Sequence, residues 1–119
     1  ICINRSSGMA YISKSAACPT FLLRDEHLHE INGNALPVGI ISAIEPDCFE
    51  VALQEGDEFL MISDGITRSE VSAWLSQRKK EDLKEDVAAF SDTLSRQRRK
   101  DDSTLIAIKV CKANAQIGA

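Results

Sequence analysis

The stretch Gly56-Asp57-Glu58-Phe59-Leu60-Met61-Ile62-Ser63-Asp64-Gly65 governs the architecture of the whole chain. Phe59 to Ile62 runs apolar without alternation, the pattern of a strand covered on both faces. Glu55-Gly56-Asp57 turns the chain into it, and Ser63-Asp64-Gly65 ends it with a carboxylate just past the strand. A buried central strand that delivers an aspartate to its tip is the first expectation.

Upstream, Ile1–Ile3, Met9–Ser13, Thr20–Leu23 and His27–Ile31 read as short strands. Asn4 to Gly8, Asp25-Glu26 and Asn32-Gly33-Asn34 punctuate them. Connections this short make antiparallel hairpins. Leu36-Pro37-Val38-Gly39-Ile40 carries two breakers and is expected as a tight, buried crossing. Cys48 to Gln54 alternates, with Phe49, Val51 and Leu53 on one face and Glu50, Ala52 and Gln54 on the other.

Downstream the period changes. Thr67 or Ser69 can cap a helix whose Val71, Trp74 and Leu75 share a face. Leu83, Val87, Phe90 and Leu94 line a second helix, which ends in the basic stretch Arg96 to Lys100, favourable at a helix C-terminus. Asp101-Asp102 then leads into Ser103–Cys111, a β-branched strand with Ile106, Ile108 and Val110 on one side. The fold class is α+β: antiparallel sheets flanked by helices, half of an α-β-β-α sandwich, with about six strands and two helices.

Composition narrows the function. The 119 residues suit one domain, and 44% hydrophobic content excludes global disorder. A net charge of −4 argues against a general nucleic-acid binder, which needs a basic face. No apolar run approaches the roughly 20 residues that span a bilayer, so no membrane contact is expected and the compartment reads as cytoplasmic. The locally basic run from Arg78 to Lys100 reads as a solvated helix side, or more sharply as a contact surface for an acidic partner. Cys2, Cys18, Cys48 and Cys111 form no CxxC pair, so they are expected to stay reduced and buried. His27 and His29 fall on one strand face without a third ligand and read as exposed polar residues.

The carboxylates carry the chemistry. If the last strand pairs antiparallel with Phe59–Ile62, Asp64 and the Asp101-Asp102 pair arrive at the same edge. Clustered carboxylates without His or Cys suit hard cations such as Mg²⁺ or Mn²⁺. Gly65 lets the backbone bend where a side chain would obstruct it. The competing reading is an ordinary Asp-Gly turn facing a solvated strand start.

The wording of these segments carries a resemblance. Gly56 to Thr67 resembles the "GD-x-apolar-SDG-[IV]" segment of PPM-type (protein phosphatase 2C-like) serine/threonine phosphatases. Asp101-Asp102-Ser103-Thr104-Leu105-Ile106 resembles that family's late "DD-x-T-apolar" segment. Asn34 to Ile40 is similar to the "lPlGi" stretch of the bacterial branch typified by stage II sporulation protein E. Gly8–Ala17 with Cys18-Pro19-Thr20-Phe21-Leu22-Leu23 is similar to that branch's "G…f…aG..p.fl" hairpin.

The resemblance implies hydrolysis of phosphoserine or phosphothreonine on a protein, with two Mn²⁺ or Mg²⁺ ions activating water and offsetting charge. It implies Asp64 and Asp101 as metal ligands, Asp102 behind them, and Gly65 as the bend. In this branch the substrate implied is a phosphorylated anti-sigma-factor antagonist, hence a role in sigma-factor regulation. The family's early Asp-Gly segment, whose aspartate bridges both metals, has no counterpart here; Asp25, Asp47 and Asp57 all fall in turns. Without that segment, residues 1–119 are expected to be the C-terminal part of such a domain, inactive alone and prone to self-association. Arg68 and Ser69 also depart from the acidic or small residues of the pattern. The alternative is a non-catalytic, phosphatase-like interaction module that binds a regulatory partner.

Overall fold

The computed structural model describes residues 1–33, 46–78, 82–97 and 101–112. The strands are β1 (Cys2–Asn4), β2 (Met9–Lys14), β3 (Thr20–Arg24), β4 (His27–Ile31), β5 (Asp47–Ala52), β6 (Glu58–Ile62) and β7 (Leu105–Lys109), with helices α1 (Arg68–Gln77) and α2 (Leu83–Ser95) between β6 and β7. The seven described strands, against a count of about six, all fall on stretches read as extended, the three-residue β1 among them. The crossing expected at Leu36–Ile40 lies outside the described residues.

Every strand pair is antiparallel. One sheet has the order β1-β2-β5 and the other β4-β3-β6-β7. Phe59 and Leu60 are both fully buried, yet they point into different layers. Leu60 packs with Phe21, Val71, Trp74 and Phe90 under the helices. Phe59 packs with Ala10, Ile12 and Leu22 between the sheets. The non-alternating run at Phe59–Ile62 thus sits in a central strand with cover on both sides, each large apolar side chain contributing roughly 1.5–3 kcal/mol.

The helices start where their sequences provide caps. Thr67 accepts from the Glu70 amide while Glu70 accepts from the Thr67 amide, a capping box, and Asp82 accepts from Lys84 N at 2.8 Å. Trp74 stacks on Phe90 with centroids 4.9 Å apart and donates Nε1 to Asp86 O, fastening α1 to α2.

Two expectations change. The cysteines are free but not buried: Cys2, Cys48 and Cys111 are exposed and Cys18 is half-buried. Strand alternation sends Ile3 and Phe49 inward and so turns Cys2 and Cys48 to the outer side of their sheet. Arg78, grouped with the solvated basic run, has a side chain only 4% exposed. It ends α1 with its guanidinium 5.6 Å from the Trp74 ring centroid and Nη2 2.5 Å from Glu58 Oε2, which leaves it inside the helix–sheet layer. Arg96 does stay outside, paired with Asp92 one turn back. His27 and His29 are exposed on the edge strand β4.

Candidate active site

The site is built by the register of β6 against β7. Ile62 stands opposite Leu105, so the end of β6 and the approach to β7 run side by side. Ser63 N donates to Thr104 O at 2.9 Å, and Thr104 N donates back to Ser63 Oγ at 2.9 Å. Beyond that clasp, Ser103 Oγ donates to Gly65 O at 3.1 Å, and Ile66 N closes the turn on Ser63 O. Thus the Asp64-Gly65 turn and the Asp101-Asp102 segment are brought together at one sheet edge.

Gly65 makes this approach sterically possible. A Cβ on Gly65 would lie 2.1 Å from Asp102 O and 2.9 Å from Ser103 Oγ. The requirement is close backbone approach rather than a left-handed φ, since only Gly8 and Gly56 among the described glycines have positive φ. Asp64, Asp101 and Asp102 are all exposed. Asp101 Oδ1 accepts from the Asp102 amide at 2.8 Å, which fixes the orientation of that carboxylate. A cleft of about 610 Å³ opens beside Asp101 and Asp102 towards Ser91, Leu94 and Ser95 of α2.

Among the described residues, no three His, Cys, Asp or Glu side chains group closely enough to hold a metal. Oxygen-only donors on Asp64 and Asp101 have the chemistry a hard divalent ion prefers, and such ions often take only one or two carboxylates. These residues therefore fit part of a Mg²⁺ or Mn²⁺ ligand set. Ser63, Ser103 and Thr104 stand in the quoted motifs, but that their hydrogen bonds fix the mutual position of the two Asp segments is visible only in the fold. Their signal was adjacency to the aspartates.

The other feature at this end is Lys14, 3% exposed at the end of β2. Its Nζ donates to Cys18 O at 2.6 Å and Thr20 Oγ1 at 3.0 Å, both uncharged acceptors. Burial lowers its pKa, with the nearby Cys18 acting the other way.

A model of the stage II sporulation protein E (SpoIIE) family matches residues 1–111. The chain belongs to the SpoIIE family. The fold agrees with solved SpoIIE structures. The phosphatase domain of the cell fate determinant SpoIIE from Bacillus subtilis, in a crystal form without domain swapping, matches with a TM-score of 0.74 at 19% identity, over 98% of this chain and 57% of that one. A Mn-presoaked form of the same domain matches with a TM-score of 0.72 at 19% identity, over 97% of this chain and 56% of that one. The RsbU and RsbW domains of Rv1364c from Mycobacterium tuberculosis match with a TM-score of 0.74 at 18% identity, over 92% of this chain and 34% of that one. No curated protein matches the chain. The chain thus spans a little over half of the SpoIIE phosphatase-domain structures it resembles. Among its own described residues, no helix is long and apolar enough to cross a membrane.

Proposed function

We propose that this chain is the C-terminal part of a PPM-type phosphatase domain that removes phosphate from phosphoserine or phosphothreonine on a protein. The observation that carries the proposal is the clasp between Ser63 and Thr104, which holds the Asp64-Gly65 turn against Asp101-Asp102. Membership of the SpoIIE family supports it.

In this reading Asp64 and Asp101 are ligands of Mn²⁺ or Mg²⁺, while Asp102 and Gly65 hold the backbone that positions them. A bound divalent ion supplies Lewis-acid stabilisation of charge on the phosphoryl oxygens. The chain's own residues keep the Asp64 and Asp101 carboxylates exposed, and the Asp102 amide orients that of Asp101. The substrate is a phosphorylated anti-sigma-factor antagonist and the role is sigma-factor regulation in the cytoplasm. Further carboxylate ligands come from the remainder of the domain. Alone, residues 1–119 therefore bind metal weakly, hydrolyse little, and self-associate through the sheet edges and the outer face carrying Tyr11, 41% exposed, which are open among the described residues.

The test is Mn²⁺-dependent hydrolysis of a phosphoserine protein by the complete domain and by its Asp64→Ala and Asp101→Asn variants. Loss in both supports the proposal, and full activity in both overturns it. A complete domain that binds a protein partner but hydrolyses nothing would establish the interaction-module reading instead.

A further inference from the structure

An open cleft of about 540 Å³ lies on the helix side of β6, beside the Asp64 turn. Its walls are Cys18 and Pro19 at the entry to β3, Ile62 and Ile66, and Thr67 and Arg68 at the start of α1. Ile62 and Ile66 stand two residues before and two after Asp64, so one short stretch of chain lines the cleft and carries the candidate ligand. Its apolar side is Pro19, Ile62 and Ile66; its charged rim is Arg68, whose side chain is 63% exposed.

Arg68 is held only loosely. Its Nε lies 2.6 Å from Glu30 Oε1, an ion pair at the surface that contributes little and is readily exchanged for another carboxylate. Glu30 also accepts from the Asn32 side chain, so it retains a partner if Arg68 turns away. The resemblance leads one to expect an acidic or small residue at this position; here the charge is reversed.

We infer that this cleft selects the substrate: it receives the phosphoprotein segment next to the phosphorylated residue, an apolar side chain against Ile62 and Ile66 and a carboxylate on Arg68. The inference rests on the phosphatase reading and names the recognition chemistry of that same site. An extended segment presents alternate side chains to one face at roughly 6.5–7 Å spacing. With its phosphate at Asp64, the residue two positions away reaches the apolar wall and the next alternate residue reaches Arg68. Charge complementarity then favours acidic over basic segments.

The complete domain tests this with p-nitrophenyl phosphate and with paired phosphoserine peptides. Each peptide carries Leu two residues and either Glu or Lys four residues from the phosphoserine, on either side in separate series. The readout is the ratio of kcat/KM for the Glu and Lys peptides within one variant, so any change in overall rate cancels. The wild type is expected to favour the Glu peptide by about fivefold, mainly through KM, and Arg68→Glu to invert the preference. Arg68 is exposed in the first turn of α1, where an acidic residue suits the helix, so this variant should fold. The same ratio in both proteins, with p-nitrophenyl phosphate hydrolysed by the wild type, overturns this inference and leaves the phosphatase reading standing. A wild type that hydrolyses neither p-nitrophenyl phosphate nor peptide overturns both.

Discussion

Arg24 grips Asp57 with two parallel hydrogen bonds, Nε to Oδ1 at 2.8 Å and Nη2 to Oδ2 at 2.7 Å. The same Nη2 donates to Ala52 O, and Asp57 Oδ2 also accepts from Gln54 N. One pair thereby ties the β3–β4 hairpin of one sheet to the β5–β6 turn that links the two sheets. Burial alone would raise the Asp57 pKa, but the Arg24 hydrogen bond, the Gln54 amide and the Arg24 charge outweigh it, and the net shift is downward.

Arg24→Ala leaves Asp57, 1% exposed, without its cation. The expected loss is about 3 kcal/mol, read as a lower urea midpoint with an unchanged slope. A loss within error would mean that the Gln54 amide and water satisfy Asp57 on their own.

The same pair sets an acid limb. Because the folded-state pKa of Asp57 lies below its unfolded value, its contribution is complete above that unfolded value, about 4, and fades as pH falls through the folded one. Melting temperature should drop below about pH 4, with a shallower drop in Asp57→Asn. Equal slopes in the two proteins would assign the limb to other carboxylates.

Lys14 acts in the opposite pH range. Its pKa is lowered from 10.5, so at intermediate pH the unfolded chain holds a proton that the folded chain has released. Stability should therefore rise with pH between the lowered value and 10.5. Lys14→Met should flatten this rise in denaturation curves taken across the alkaline range. A rise that persists in the variant would locate the effect elsewhere.

Gly65→Ala places a methyl group against the Asp102 carbonyl. The β6 and β7 ends must separate to admit it, at a cost of about 1–3 kcal/mol. Amide exchange should speed up at Thr104, whose N–H bonds Ser63 Oγ, while amides in β1 and β2 keep their protection. Unchanged exchange at Thr104 would show that the turn can relax without opening the clasp.

Much of this arrangement was legible in the sequence because it follows from periodicity. The unbroken run Phe59–Ile62 has no polar face to offer solvent, and the i, i+3, i+4 spacing of Val71, Trp74 and Leu75 suits one helix face only. The approach of the Ser63–Gly65 turn to the Asp102–Thr104 backbone follows from two strands and an antiparallel return. What escaped depended on partners distant in sequence. Arg24 and Asp57 are 33 residues apart, and both look like ordinary turn-flanking charges. Arg78 reads as solvated because Lys79 and Lys80 follow it, and only the fold shows Glu58 waiting beneath α1. Cys2 and Cys48 escape a burial rule based on residue type because alternation defines two faces without saying which is inward.

Phe59 and Leu60 are neighbours in the chain but belong to separate apolar layers, and Asp64 sits in the turn two residues past the end of their strand. A disturbance in either layer is therefore transmitted to one short lever. A cavity beneath Trp74 or between the sheets at Ile12 should shift the aspartate in the same way, although the two positions share no contact. In the proposed phosphatase, activity would then be vulnerable to substitutions in both apolar layers, most of them far from any phosphate.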